Sequence, residues 1–141
     1  MPANCLVDTG AVLACLDRDD RWHRLCRDAF VQLRMPLMTS TAVLTELFHL
    51  AVSRRIEKEV VWGFLRTGNI LLGTITAEDL PHLRALMARY GDHPMDFADA
   101  TLVLLAERES ITRVFTVDRA DFETYRINGR RRFSIVPTTR P

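Results

Sequence analysis

A single lysine, Lys58, stands against eighteen arginines in this sequence. The three cysteines, Cys5, Cys15 and Cys26, form no Cys-x-x-Cys pair. An odd number without close spacing excludes a disulfide framework or a cysteine zinc site, and leaves them as small hydrophobes in a reducing compartment. No apolar run approaches the roughly 20 residues that span a bilayer. Met1-Pro2-Ala3-Asn4 carries no basic segment ahead of an apolar one, so no secretory leader is expected and a cytoplasmic location is. Also missing are the G-x-G-x-x-G fingerprint, the Walker loop and the G-x-S-x-G elbow, which removes three common routes to nucleotide binding or acyl transfer. His23, His49, His82 and His93 form no HExxH pair. Glu46-Leu47-Phe48-His49 has ExxH spacing once, where a di-iron bundle needs it twice.

What is present is an ordinary globular balance, 48% hydrophobic and 26% charged over 141 residues. That length suits one domain, 1–141, with a core that needs neither disulfides nor a structural metal. The net charge of +1 neither announces nor excludes a polyanionic partner. The arginine surplus is first what GC-rich coding produces, and only second a supply of planar forks for phosphate.

Apolar spacing alternates strand and helix. Cys5-Leu6-Val7 reads as a strand, followed by a helix over Ala11 to Leu16. Trp22 to Leu33 carries a stripe of 3.6-residue period, Pro36-Leu37-Met38 is a short buried strand, and Thr39-Ser40-Thr41 offers capping hydroxyls for a helix through Leu44, Leu47, Phe48 and Ala51. A helix over about Glu57 to Leu65 ends near Gly68-Asn69, and Ile70-Leu71-Leu72 is a strand. Thr76 and Asp79 begin a helix reaching Arg89-Tyr90, broken by Gly91-Asp92-His93-Pro94. Phe97 to Arg108 is the strongest helix, Val114 to Val117 a strand closing on Asp118, and Phe133 to Val136 the last strand. Strands separated by helices imply right-handed crossovers and a parallel sheet covered on both faces.

In such a sheet the ligand crevice lies beyond the carboxyl ends of the strands. Asp8 and Asp118 each follow a strand, so both face that crevice if the strands are neighbours. Asp96 and Asp99 open the Phe97 helix on one face, and Glu46 lies early in the helix after the Met38 strand. Four or five converging carboxylates repel one another by several kcal/mol for close pairs. A divalent cation among them removes that cost, and Mg²⁺ or Mn²⁺ prefers such hard oxygens. An ion so held acidifies water for attack on a phosphodiester. Each acid also has a purely structural reading. Asp8 caps the next helix, Asp96 and Asp99 suit a first helical turn, Asp118 serves a turn, and Glu46 is an acid in an apolar stretch.

At these residues the chain resembles PIN domains, most closely the toxin nucleases of VapBC toxin–antitoxin pairs. The matching stretches are Val7-Asp8-Thr9-Gly10, Thr45-Glu46-Leu47, Asp96-Phe97-Ala98-Asp99-Ala100-Thr101-Leu102 and Phe115-Thr116-Val117-Asp118-Arg119-Ala120-Asp121-Phe122, in order across almost the whole chain. The resemblance implies a three-layer α/β/α fold with a central parallel sheet and Mg²⁺- or Mn²⁺-dependent endoribonuclease activity. It matches Asp8, Glu46, Asp99 and Asp118 to the family's four acids. Asp8 and Asp99 are then the direct metal ligands, and Glu46 and Asp118 hold metal-bound waters or a second ion. Thr116 matches a hydroxyl position beside the fourth acid; Asp96 and Asp121 are extra acids whose contact with metal the match leaves open. A homodimer and a cognate antitoxin are further implications.

Haloacid-dehalogenase-type phosphotransferases need an acid two residues after the first Asp, where Gly10 stands, and receiver domains need a lysine after a late strand. A PIN-like module that binds RNA or protein without cutting is the alternative. For it, Arg126, Arg130, Arg131 and Arg132 around Asn128-Gly129 form a candidate phosphate-contacting patch, whose bland counterpart is a solvated hairpin-like turn.

Overall fold

Every strand is only two or three residues long, so the sheet depends on the helices that clamp it. In the computed structural model, which describes residues 2–141, the order is β1 (Leu6–Val7), α1 (Thr9–Leu16), α2 (His23–Gln32), β2 (Met38–Thr39), α3 (Thr41–Ser53), α4 (Lys58–Thr67) and β3 (Leu71–Leu72). There follow α5 (Leu80–Arg89), α6 (Phe97–Glu109), β4 (Arg113–Phe115), α7 (Arg119–Thr124), β5 (Arg126–Ile127), β6 (Arg131–Arg132) and β7 (Ser134–Val136). Met1, where the segment read for a leader begins, lies outside the described residues. Among those residues no helix is long and apolar enough to cross a membrane.

Five strands form one parallel sheet in the order β3-β2-β1-β4-β7. Alternation along each strand sends neighbours to opposite faces. Leu6, Met38 and Val114 join the core under α5 and α6, whereas Cys5, Val7, Leu37 and Phe115 join the core under α1, α2 and α4. The three-layer α/β/α expectation holds, and Cys5 and Cys26 are buried as small hydrophobes, with Cys15 half-buried.

The chain leaves β1 for β2 and β3 on one side, then returns through α6 to β4 on the other. This reversal beside β1 is the topological switch point, where the crossovers diverge and open a crevice at the carboxyl ends of β1 and β4. The helix starts facing that edge are capped by side chains: Asp8 accepts from the Thr9 amide, Ser40 from Val43, and Asp96 from Asp99. A capping box of Thr76 and Asp79 starts the turn before α5, as the sequence pattern predicts.

Two expectations change. β4 ends at Phe115, so Asp118 lies two residues beyond Thr116 rather than directly after the strand; the Thr116 amide still donates to Val136 O at 3.0 Å, which extends the pairing without regular strand geometry. Asp96 is the cap of α6 and not a member of its first turn. The Arg-rich segment is a β5–β6 hairpin turning through Asn128 (φ 54°) and Gly129 (φ 71°), the left-handed pair that tight hairpins require.

Gly10 explains one constraint near the crevice. A Cβ there would stand 2.6 Å from Val117 Cγ2, so only a hydrogen lets α1 approach the segment after β4. Gly10→Ala is expected to cost about 1–3 kcal/mol through overpacking, read as a thermal midpoint lowered by several degrees.

Candidate active site

Asp8 and Thr116 form the centre of the crevice. Both are buried, Asp8 at 2% exposure and Thr116 at 0%. The Thr116 hydroxyl donates to Asp8 Oδ2 at 2.8 Å and accepts from the Asp118 amide at 3.0 Å, while Asp8 Oδ1 accepts from the Thr9 amide at 2.9 Å. One hydroxyl thereby ties the acid after β1 to the backbone of the acid before α7. Asp8 does cap α1, as its structural reading proposed, and it also faces the other acids.

Asp99 comes from the first turn of α6 and is 7% exposed. Its Oδ2 accepts from the hydroxyl of Tyr125 at 2.9 Å, and its amide donates to Asp96 Oδ1 at 2.8 Å. Tyr125 is fully buried against Tyr90, Phe122 and the edge of His93. Sequence reasoning missed this tyrosine, because it lies 26 residues from its partner on an element with no periodic signal. It also missed His93, whose Nε2 stands 2.5 Å from Asp121 Oδ1. His93 is the residue before Pro94 in the break between α5 and α6, and nothing in that tetrapeptide announces a partner in α7.

Glu46 is half-buried on α3, beside Asp96, Phe97 and His49 in an open cavity of about 520 Å³. A hydroxyl pair fixes its helix against that of Asp99: Ser40 Oγ and Thr101 Oγ1 are 2.7 Å apart and buried. Asp118 as a residue is exposed at the mouth of the crevice, though its carboxyl turns inward among the other acids, and Asp121 one turn on is half-buried. The structure thus brings Asp8, Glu46, Asp96, Asp99, Thr116, Asp118 and Asp121 to one edge of the sheet. It does not bring the arginines of the hairpin there. The Asn128 amide donates to Glu107 at 2.8 Å. Glu107 is eight residues beyond Asp99 on α6, about 12 Å along the axis at 1.5 Å per residue. The Arg126 guanidinium is occupied by the carbonyls of Glu123, Thr124 and Tyr125, and Arg130, Arg131 and Arg132 are exposed.

Electrostatics mark the cluster. Burial, and then the charge of Asp118, push the Asp8 carboxyl from the ordinary 3.8 up to about 7; Glu46 adds to this, and the bonds from Thr116 and Thr9 oppose it. Burial and the charges of Asp8 and Asp96 push Asp99 up to about 8, against the bond from Tyr125. Asp118 is raised too, by burial and Asp121, with partial relief through a hydrogen bond shared with Asp8. Two buried carboxyls that resist ionisation side by side have the chemistry of a cation site. Among the described residues no three His, Cys, Asp or Glu side chains converge to chelate an ion on their own. The donor set still fits a hard divalent ion, which needs only one or two carboxylates and keeps several waters.

Both folded values exceed the unfolded value near 3.8, so the folded chain retains protons that the unfolded chain has released. Stability of the metal-free chain therefore falls as pH rises from about 4 through about 8. Thermal unfolding in EDTA should show a midpoint that drops over this window, and Asp99→Asn should flatten the drop. Mg²⁺ should raise the midpoint more at the alkaline end than at the acid end. Tyr125→Phe removes a donor that orients Asp99; activity is expected to fall about 10–100-fold, as for other partners that orient metal ligands, with the fold retained by circular dichroism.

The PIN domain family model matches residues 5–128. The chain is 28% identical over 134 residues to Ribonuclease VapC26 of Mycobacterium tuberculosis, spanning 94% of this chain and 99% of that protein. Its fold matches the crystal structure of Mycobacterium tuberculosis VapC20, described as a Sarcin-Ricin loop cleaving toxin, with a TM-score of 0.70 at 21% identity, over 82% of this chain and 92% of that one. With a family model spanning four of the five strands of the sheet, β1 to β4, and acids gathered at its switch point, the chain belongs to the PIN domain family.

Proposed function

We propose that this chain is an endoribonuclease that hydrolyses RNA phosphodiester bonds with the aid of Mg²⁺ or Mn²⁺, and that it is the toxin of a type II toxin–antitoxin pair. The observation that carries the reading is the pair of buried aspartates, Asp8 and Asp99, held at the sheet's switch point with their carboxyls raised to about 7 and about 8. Membership of the family and the ribonuclease relative support the reaction class; the toxin named among the structural relatives supports the wider role. Residues 1–141 act in this reading as one nuclease domain.

Asp8 and Asp99 would hold the ion directly. When bound, it supplies Lewis-acid polarisation of the scissile phosphate and a water of lowered pKa. Tyr125 and Thr116 keep the two carboxylates aimed, since each donates to one carboxylate oxygen. Asp118, at the mouth and raised by partial burial and then by its acidic neighbours, accepts a proton from the attacking water more readily than a free carboxylate does. Glu46 shares that water-holding role from the α3 side. Asp96 serves chiefly as the cap that sets the Asp99 backbone, and Asp121 is engaged by His93.

The same reading makes the chain a cytoplasmic homodimer silenced by a cognate antitoxin protein. A module that only binds RNA gains nothing from burying negative charge where the phosphates would lie, which disfavours the non-catalytic alternative.

Purified protein is expected to cut total cellular RNA into discrete fragments with Mg²⁺ or Mn²⁺, not with EDTA, and Asp99→Asn is expected to reduce cleavage to background. Fragmentation by Asp99→Asn at the parent rate would remove the assignment of that residue, and RNA bound but uncut under every metal would support the binding module.

A further inference from the structure

An acid nest cannot hold RNA without cations close by, and the structure places two beside it that the sequence pattern does not single out. The Arg119 guanidinium donates through Nη1 to Pro137 O at 2.5 Å, and this contact bends the C-terminal tail back along α7. The bend carries Arg140 to the same place: its Nη2 lies 3.6 Å from Glu123 Oε1, and Arg119 Nε lies 3.4 Å from that oxygen. Arg119 and Arg140 then line a cavity of about 210 Å³ together with Val117, Ala120, Asp118 and Asp121. Two of those six residues are acids of the crevice, so the cavity adjoins the proposed site of cleavage.

The two arginines differ in freedom. Arg119 is 16% exposed and committed to the tail carbonyl, whereas Arg140 is 58% exposed and only loosely paired with Glu123, itself 48% exposed. A solvent-exposed pair at that distance is held weakly and is readily exchanged for a stronger anion. A phosphate oxygen pair is such an anion, because the planar guanidinium meets it with two parallel hydrogen bonds. The arginines of the hairpin lack this placement: the turn that carries Arg130, Arg131 and Arg132 is anchored to Glu107 in the far half of α6, and Arg126 is spent on backbone carbonyls.

We propose that Arg140, steadied by the tail contact of Arg119, is the contact for an RNA backbone phosphate adjacent to the one that is cleaved. This rests on the ribonuclease reading given above. Arg140 offsets the repulsion between the acids and the incoming strand, and fixes the register of the chain against Asp118.

The test measures binding apart from cleavage. Asp99→Asn protein in EDTA is titrated with a fluorescein-labelled single-stranded RNA by anisotropy over a range of salt concentrations. Adding Arg140→Gln should lower the slope of log Kd against log salt by about 0.7, the value for one single-strand phosphate contact. Arg140→Lys should keep the slope, and a triple Arg130→Gln, Arg131→Gln, Arg132→Gln variant should leave it unchanged. In the otherwise unaltered chain, Arg140→Gln should act mainly on KM, raising it several-fold. The proposal is overturned by an unchanged slope in Arg140→Gln, by loss of slope in the hairpin triple variant instead, or by absence of RNA binding at every salt concentration. Failure of the ribonuclease reading is distinguishable, since it shows as no cleavage by the parent chain under any metal while the salt slope is still read from Asp99→Asn.

Discussion

Burial of negative charge at the switch point is the constraint around which the rest of the structure is organised. An isolated carboxylate in the interior is costly, and two side by side more so. Asp8 takes an amide and a hydroxyl, Asp99 takes a phenol, and among the described residues no fully buried side-chain nitrogen or oxygen lacks a partner. These bonds reduce the penalty without removing it, as the raised carboxyls of Asp8 and Asp99 show. What remains is an unmet demand for positive charge, located where a substrate can reach it.

The fold supplies that location through strand order. β1 lies in the middle of the sheet, and the reversal beside it separates the helices that follow β1 and precede β4. The starts of α1, α3 and α6 all point to the same edge, with Asp8, Ser40 and Asp96 as caps. Helix starts carry partial positive charge, so they offset some of the repulsion among the acids they present. The buried hydroxyl pair of Ser40 and Thr101 ties the start of α3 to α6, the two helices that carry Glu46 and Asp99.

Cations are kept out of the nest and arranged around it. The Asn128-Gly129 turn is anchored to Glu107 in the far half of α6 and leaves Arg130, Arg131 and Arg132 exposed, and the tail carries Arg140 to the mouth. This separation suits the proposed role, in which an ion enters between the carboxylates. A guanidinium among the acids would neutralise them and compete for the same oxygens.

Apolar period and capping residues determined most of the architecture before any contact was known. The Leu6, Met38 and Val114 strands, the Phe97 helix and the caps at Ser40 and Thr76 follow from local rules, because the spacing of apolar side chains dictates which face a segment buries. The positions of the four acids near one edge were legible for a similar reason: Asp8 follows a strand, Asp99 lies in the first turn of a helix, Asp118 lies just beyond β4, and Glu46 lies in the second turn of α3, all toward the edge where an α/β sheet places its ligands. Tertiary structure alone decided the rest. Tyr125, His93 and Arg140 lie on elements without period, and their partners Asp99, Asp121 and Glu123 are chosen by how α7 and the tail fold back. The hairpin arginines formed the more conspicuous basic cluster in the chain, yet packing turned them away, since clustering along a sequence does not specify direction in space. Local chemistry thus determined which residues are acids at strand ends, and three-dimensional packing decided which groups hold them, because side-chain partners distant in sequence leave no local pattern to read.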